Sequence, residues 1–545
     1  MGTLRTYARN ALSNWMYYAV SMGVMFFMTP YVAHSLGKSG YGIWSIVITL
    51  VGYLGLAELG TRVSLGRFIN YYMGRGETDK VNGCINTAQV FFLFCGVILF
   101  AAAGVLAWAF PMLFPKASGP MVVQARVALI VMPLGLLMSF LMAGFNQVFI
   151  ASDRFDVQNG VSLAALVVQT VGALLVLNRH VGWGGVVPRD LGGGVLFATT
   201  GLGIVGLSVV HVGSGLLRLV LAMTLAHRIW PPLRVRLSLA SLRQFRELFN
   251  FSIWAFLGNI GSQLLHWTDT MVIGMVFGSE LVAVYAIGSM LLIRVQGFVG
   301  QGLSPLFPQM VKACARDDWA TLRSLFYRGN IVLMALSIPI LTGLIVFGRE
   351  FILQWMGEGY RLSYVILVIL AISKYFGFLS AMCPSICSGM NRPQFTTLIV
   401  LGQGVTNLGC TLLFILPLGM GIEGVALGTL VPRIVFSLIL LVVVMRWIGL
   451  SPRTFLMVSL WRWGVGIGGF LVIGYALNRL VPPDGWLHFF VKVALSLVLY
   501  LPLAWWTVLR GEERRQVLDR VRQQAAFLRG KRPILPAGAA KKSDE

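Results

Sequence analysis

Charge is what this sequence most lacks. Only 12% of its 545 residues are Asp, Glu, Lys or Arg, against about a quarter in a soluble globular chain, which excludes a water-soluble enzyme. Acid is scarcest, with 20 Asp and Glu, and the six His are too scattered for an HExxH pair or a His/Cys cluster. Six Cys (Cys84, Cys95, Cys314, Cys383, Cys387 and Cys410) show neither a paired framework nor metal-ligand spacing. Cys383 and Cys387 share helical spacing, but Pro384 and the apolar surroundings read as small buried hydrophobes. No GxSxG elbow or Walker A sequence occurs, and no gap between apolar runs is long enough for a catalytic domain. No catalytic residue, metal or cofactor is therefore expected, beyond a coupling H+ or Na+.

What is abundant is apolar surface and glycine: 57% of residues are hydrophobic and 62 are Gly, as suits helices that pack closely in lipid. Apolar stretches of about 20 residues, each long enough to cross a bilayer core, recur fourteen times, from 12–34 and 41–60 through 250–269 and 280–308 to 459–480 and 487–509. No small-residue cleavage site follows the first run, so it is expected to remain as a span. Lys and Arg gather in alternate gaps, and the bias survives when the ten in the C-terminal tail are set aside. Positive charge inside then places both termini in the cytoplasm. The net charge of +23 is mostly this bias, and no nucleic-acid partner is expected because the charge is not gathered on a soluble face.

The chain also resembles itself. Leu36-Gly37-Lys38-Ser39 has its counterpart in Phe277-Gly278-Ser279-Glu280, Arg75-Gly76-Glu77 in Ala315-Arg316-Asp317, and Ser152-Asp153-Arg154 in Met390-Asn391-Arg392. Gly201-x-Gly203-x-x-Gly206 recurs as Gly419-x-Gly421-x-x-Gly424 at a shorter displacement, which puts an external Gly-rich insertion near 179–200 in the first copy. That glycine pattern matches a dinucleotide fingerprint only formally, since no strand precedes it. An even number of spans separates the copies, so both have one orientation. The expected architecture is all-α and polytopic: a six-helix lobe over 1–228, a linker over 229–249, a second six-helix lobe over 250–447, two further spans over 448–509 and a basic tail over 510–545. Lobes related by an axis along the membrane normal put the substrate site between them and alternate its access. Two amphipathic segments, 241–249 and 511–531, read as helices lying on the inner leaflet, and Pro533 to Glu545 reads as disordered.

Ionisable residues within spans mark function, because each is costly in lipid unless it faces a cavity or a partner. Arg218, Arg294, Lys374 and Arg433 lie well inside their helices and within the repeated lobes. Cations outnumber acids there, which suits an anionic cargo, and the Arg fork matches phosphate oxygens. Glu58 and Arg62 stand four residues apart, as either an ion pair or part of the site. Asp269, Glu423, His211 and His266 are candidate ion-coupling groups, with a solvated role as the alternative for the first two. Arg462 and Lys492, near span ends, read as snorkelling side chains.

Ser13-Asn14-Trp15, Leu36-Gly37-x-x-Gly40-Tyr41-Gly42-Ile43-Trp44, Glu58-Leu59-Gly60, Asp269-x-x-x-Ile273-Gly274 and Val282-x-x-Tyr285 together resemble the Wzx-type polysaccharide flippases of the multidrug/oligosaccharidyl-lipid/polysaccharide exporter superfamily, over about 1–447. The resemblance implies a bacterial inner-membrane transporter that moves polyprenyl-pyrophosphate-linked oligosaccharide to the periplasmic leaflet. It serves O-antigen (lipopolysaccharide), capsule or exopolysaccharide assembly, with membrane lipids and a polysaccharide polymerase or export complex as partners. A multidrug or metabolite exporter and a lipid II flippase share the implied fold. A membrane glycosyltransferase or ligase is the alternative from the enzyme class, and it would need a large periplasmic catalytic loop.

Overall fold

The computed structural model describes residues 2–117, 119–177, 203–303, 306–482, 485–507 and Arg514. The insertion near 179–200 and the predicted surface helix at 511–531, Arg514 apart, lie outside the described residues. Within them every regular element is helical. Sixteen α-helices follow in order: α1 (Gly2–Leu54), α2 (Thr61–Gly74), α3 (Thr78–Leu113), α4 (Gly119–Ala151), α5 (Phe155–Leu177), α6 (Gly203–Ile229), α7 (Leu242–Val276), α8 (Ser279–Leu303), α9 (Leu306–Ala315), α10 (Trp319–Met356), α11 (Arg361–Leu379), α12 (Cys383–Gly389), α13 (Pro393–Ile415), α14 (Ile422–Trp447), α15 (Pro452–Leu480) and α16 (Gly485–Thr507). Twelve of the described stretches are long and apolar enough to span a membrane, and a helix is the element that satisfies its own backbone in lipid. One of the twelve, Leu12–Glu58, carries the first two predicted spans.

Those two spans meet at Gly37, whose φ of 71° and ψ of 166° interrupt the helical backbone of α1. A side chain would strain that conformation. The Glu58-Leu59-Gly60 motif is a second break: a short 3-10 turn over Gly55–Glu58 ends on left-handed Leu59 and Gly60 before α2 starts at Thr61. Left-handed residues recur at matching places in the sequence repeat, Gly37 with Gly278, Gly76 with Asp317, and Asp153 with Asn391. The repeat is thus written in the backbone turns as well as in the residues.

The chain divides into two compact units, one of Met1–Arg294, Trp355–Ser380 and Asn391–Leu440, the other of Val295–Gln354, Ala381–Met390 and Leu441–Glu545. In the first unit, Phe92, Phe140, Phe145 and Phe149 are fully buried with Leu65 and Ala222 between α2, α3, α4 and α6. The second half of α1 packs without gaps on α7 and the start of α8. A Cβ on Gly42 would lie 1.7 Å from the Ser279 carbonyl oxygen, and one on Gly52 would lie 1.0 Å from the Trp267 ring. Hydroxyl contacts at 2.9 Å, Ser39 with Ser279 and Tyr53 with Thr268, close the same seam.

The linker holds a feature invisible to hydropathy. Asn82 donates to the Pro232 carbonyl at 2.9 Å and accepts from the Arg234 amide at 2.8 Å. One turn on, Asn86 donates to the Arg234 carbonyl at 2.6 Å and accepts from the Arg236 amide at 2.7 Å. Two asparagines four residues apart on α3 thus hold the irregular segment 232–236 through its backbone amides and carbonyls, and Leu233 is buried in the core. The predicted surface helix at 241–249 is corrected here. It is the first part of α7, continuous with span seven, and its Phe245 packs on Phe91 of α3 with ring centres 5.4 Å apart. Leu248 is buried and Phe245 meets protein, while Leu242 at its start stays exposed. With Asn82 and Asn86 both changed to Ala, four hydrogen bonds worth about 1 kcal/mol each are lost. Trypsin cleavage after Arg234 and Arg236 should then rise by roughly tenfold or more; unchanged cleavage rates would show that the asparagines do not hold the linker.

In the second unit, α10 packs with α15 and α16. Phe326 and Phe455 pack with ring centres 5.4 Å apart and planes tilted by 50°, and Arg323 donates to the Ile448 carbonyl at 2.7 Å, supplying a cation to the C-terminal carbonyls of α14. Lys492 does not snorkel: it is 1% exposed and its Nζ sits 2.5 Å from Glu350 Oε2. Its side chain is too deep in the bundle to reach an interface, and Glu350 supplies the opposite charge instead. All six cysteines are free thiols, five of them buried, as small hydrophobes in a packed core would be.

Candidate functional site

Five helices of the first unit bring polar side chains to one point. On α7, Leu265 and Asp269 share a face at a spacing of four, with His266 beside them. Tyr285, Ser289 and Leu292 line α8, and Leu370, Ser373 and Lys374 line α11. Gln403 comes from α13, while Thr429 and Arg433 come from α14, again four apart. Together they enclose a cavity of about 70 Å³. Helices approach this closely because small residues meet: Gly261 of α7 and Gly404 of α13 lie against one another's backbones, so that a Cβ on Gly261 would be 2.7 Å from the Leu401 amide.

Asp269 is 3% exposed. The expectation of a solvated role for it is corrected: the helix carries it inward, where hydroxyls replace water. Its Oδ2 accepts hydrogen bonds from the Tyr285 hydroxyl at 2.5 Å and from Thr429 at 2.8 Å, and Asn407 in turn donates to Thr429 at 2.9 Å. Three further oxygens of this cluster, Asp269 Oδ1, Asn407 Oδ1 and Thr411 Oγ1, are buried without a hydrogen-bond donor among the described residues. Buried acceptors are nearly always satisfied, and exceptions call for an explanation such as a bound ion. Asn407 and Thr411 are fully buried, one turn apart on α13.

Two cations share the cavity with that acid. Arg433 reaches Gln403 Oε1 at 3.4 Å, and its guanidinium occupies the space left by Gly377, where a Cβ would be 2.7 Å from Nε. Lys374 lines the same wall. The hydrogen bonds to Asp269 come from neutral hydroxyls, so the acid is not consumed as a close ion-pair partner of Arg433. The result is a low-dielectric space with two fixed cations, one imidazole and one carboxylate, in which an anion finds more positive than negative charge.

The other candidates lie elsewhere. Arg294 is one residue beyond the cavity-lining Ile293, and its Nε donates to Met25 Sδ at 3.0 Å while its backbone carbonyl accepts from Tyr18. Arg218 and His211 sit two turns apart on α6, with Arg218 Nε buried and without a described hydrogen-bond partner and His211 against Gly135. Glu58 and Arg62 do pair, at 3.2 Å, but across the break at Leu59–Gly60 rather than along one helix. Glu423 lies in the first turn of α14, where a negative charge complements the helix dipole. The structure therefore gathers Lys374, Arg433, Asp269 and His266, and leaves Arg218, Arg294, Glu58, Arg62, His211 and Glu423 outside this cavity. Gln403, Asn407, Thr411 and Thr429 were not singled out from sequence. The first three carry a signal, as neutral polar residues at every fourth position along one otherwise apolar span, whereas Thr429 stands on α14 without one.

Residues 191–364 match the family described as "Polysaccharide biosynthesis protein". A putative O-antigen transporter of Shigella flexneri is 20% identical over 79% of this chain and 96% of its own length. A probable low-salt glycan biosynthesis flippase, Agl15 of Haloferax volcanii, is 26% identical over 48% of this chain and 52% of its own. Among solved structures, the lipid II flippase MurJ in an inward closed conformation superposes with a TM-score of 0.66 at 12% identity, over 90% of this chain and 97% of that one. An inward-facing MATE family transporter of the MOP superfamily gives 0.61 at 14%, over 77% and 94%. The fold is thus that of MurJ and of the MATE transporter, the long apolar helices are those of a multi-pass membrane protein, and the resemblance read from the motifs agrees with the polysaccharide-related family match and relatives.

Proposed function

We propose that this protein flips polyprenyl-pyrophosphate-linked oligosaccharide from the cytoplasmic to the periplasmic leaflet of a bacterial inner membrane, by alternating access, for O-antigen, capsule or exopolysaccharide assembly. The observation that carries the reading is that Lys374 and Arg433 share a cavity between long apolar helices beside a single acid held by neutral hydroxyls. A pyrophosphate crossing the low-dielectric core needs fixed cations. A cationic drug would need the opposite balance, which sets the multidrug reading second. Membrane lipids and a polymerase or export complex are the expected partners, and the relatives point to a transporter, with no enzyme chemistry assigned to any residue.

The finer topology belongs to the same proposal. Counting Leu12–Glu58 as two spans at Gly37 and adding α7 raises twelve to fourteen, in two parallel lobes with both termini cytoplasmic. A cavity of about 70 Å³ has room for a few waters or an ion, so the glycan passes in a wider conformation. The Asp269, Asn407 and Thr411 oxygens, one of them charged, suit a proton or a hard monovalent cation, and H+ or Na+ coupling is assigned to them.

The test is export by a deletion strain carrying variants. Lys374→Ala with Arg433→Ala should trap lipid-linked oligosaccharide in the inner leaflet, with protein levels in the membrane unchanged, and Arg218→Ala with Arg294→Ala adds the remaining deep cations. Full export with all four replaced would sink the cation-cavity reading. Normal glycan export in the deletion strain, with altered sensitivity to toxic cations, would move the protein to the exporter branch.

A further inference from the structure

The second unit carries a small pocket and an open apolar groove that share one arginine. The pocket, of about 60 Å³, gathers the polar side chains of Tyr327, Asn330, Thr454, Ser459 and Arg462 among four apolar ones, between α10 and α15. The groove, of about 950 Å³, runs over α15 and α16 past Met457, Leu460, Trp461, Val465 and Trp506, and Arg462 and Val458 belong to both. Trp461 and Trp506 are 73% and 69% exposed, rings of the kind that settle at the level of lipid headgroups. A site with a polar end, an apolar trough and a cation at their junction has the form of an amphiphile with an anionic head.

A second observation refines the head. Asn330 is 4% exposed and its amide donates to the Phe326 carbonyl at 3.0 Å, yet its Oδ1 accepts no hydrogen bond from the described residues. An acceptor buried in this way at a pocket wall calls for a donor. Phosphate supplies none, whereas a headgroup hydroxyl does, and Arg462 suits the phosphate beside it.

We propose that this pocket and groove bind an anionic glycerophospholipid of the surrounding leaflet whose headgroup carries a hydroxyl, phosphatidylglycerol being the type. The phosphate meets Arg462, the glycerol hydroxyl donates to Asn330 Oδ1, and an acyl chain lies along Trp461, Leu460 and Trp506. The site lies wholly on helices of the second unit, apart from the Asp269 cavity of the first, and the proposal stands whatever cargo that cavity serves.

Full-length protein exchanged into mixed vesicles of phosphatidylglycerol, phosphatidylcholine and phosphatidylmethanol, an anionic phosphodiester without a hydroxyl, then extracted mildly for native mass spectrometry, tests it. Phosphatidylglycerol should stay bound in preference to both others. Arg462→Ala should reduce that retention at least about tenfold, as expected for a lost charge-assisted hydrogen bond. Asn330→Leu should erase the preference over phosphatidylmethanol while leaving the preference over phosphatidylcholine. Arg462→Lys, which keeps the charge in case Ala does not fold, should keep the order of lipids. Equal retention of phosphatidylglycerol and phosphatidylcholine by the wild type, or unchanged retention by Arg462→Ala, overturns the site. Displacement of phosphatidylglycerol by equimolar polyprenyl phosphate overturns the assignment to a phospholipid.

Discussion

Asp269→Asn is expected to abolish glycan export, by about a hundredfold or more, while the protein accumulates in the membrane as the wild type does. The substitution keeps the shape of the side chain and an oxygen for the Tyr285 or Thr429 hydroxyl, and removes only the charge. A packing role would therefore survive it. A coupling role would not, because an amide neither takes up a proton nor holds a cation against its desolvation in a low-dielectric site. Thr429→Val, which removes the two hydrogen bonds of the Thr429 hydroxyl, each worth about 1 kcal/mol, and keeps the charge, should slow export without stopping it. The measurement is lipid-linked oligosaccharide accessible at the outer leaflet, read with an impermeant glycan-binding probe. Wild-type export by Asp269→Asn would remove the carboxylate from the coupling scheme and leave the cation-lined cavity to stand alone.

The second large effect is on stability. Lys492→Met leaves the carboxylate of Glu350 in the bundle with the Gln354 amide, which donates to its other oxygen at 3.3 Å, as its hydrogen-bond partner among the described residues. Removing one partner of a buried ion pair costs about 3–5 kcal/mol, since the remaining charge keeps its desolvation penalty. Phe347, Phe351, Trp486 and Phe489 form the surrounding ring contacts, so water has little room to relieve it. The midpoint of thermal unfolding in detergent should fall sharply for Lys492→Met and for Glu350→Gln. The double variant Lys492→Met with Glu350→Met should recover most of the loss, because two apolar side chains need no partner. Additive losses in the double variant would mean that the two residues act independently and that the pair does not clamp α16 to α10.

Much of the architecture was legible before any coordinates. Hydropathy located the spans because lipid tolerates few alternatives to a helix of about 20 apolar residues. Repeated motifs such as Leu36-Gly37 and Phe277-Gly278 located the turns, because left-handed backbone needs particular residues. The buried cations were visible individually, since Lys or Arg within an apolar run stands out. Which of them share a cavity was not visible. Lys374 and Arg433 lie 59 positions apart in the sequence, and whether Arg294 joins them depends on which side of α8 faces inward, a rotation that one residue reverses: Ile293 lines the cavity and Arg294 turns to Met25.

Neutral polar residues were harder still. Asn82, Asn86 and Asn407 look alike to a hydropathy window, yet two bind the linker backbone and one stands behind the Asp269 carboxylate. Position along the chain also misled where depth mattered. Lys492 and Asp269 sit near the ends of their predicted spans, where snorkelling is the reading for the first and a solvated role the alternative to ion coupling for the second, but neighbouring helices cover both. An all-helical membrane protein with an internal repeat and with Lys and Arg inside its apolar runs is written in the chain, because hydrophobic length, backbone turns and charge are local properties. Which charges meet, which acid is shielded and which polar atoms lack partners among the described residues emerge in the folded arrangement. Those outcomes depend on helix rotation and contact between distant segments, which packing fixes and local composition does not.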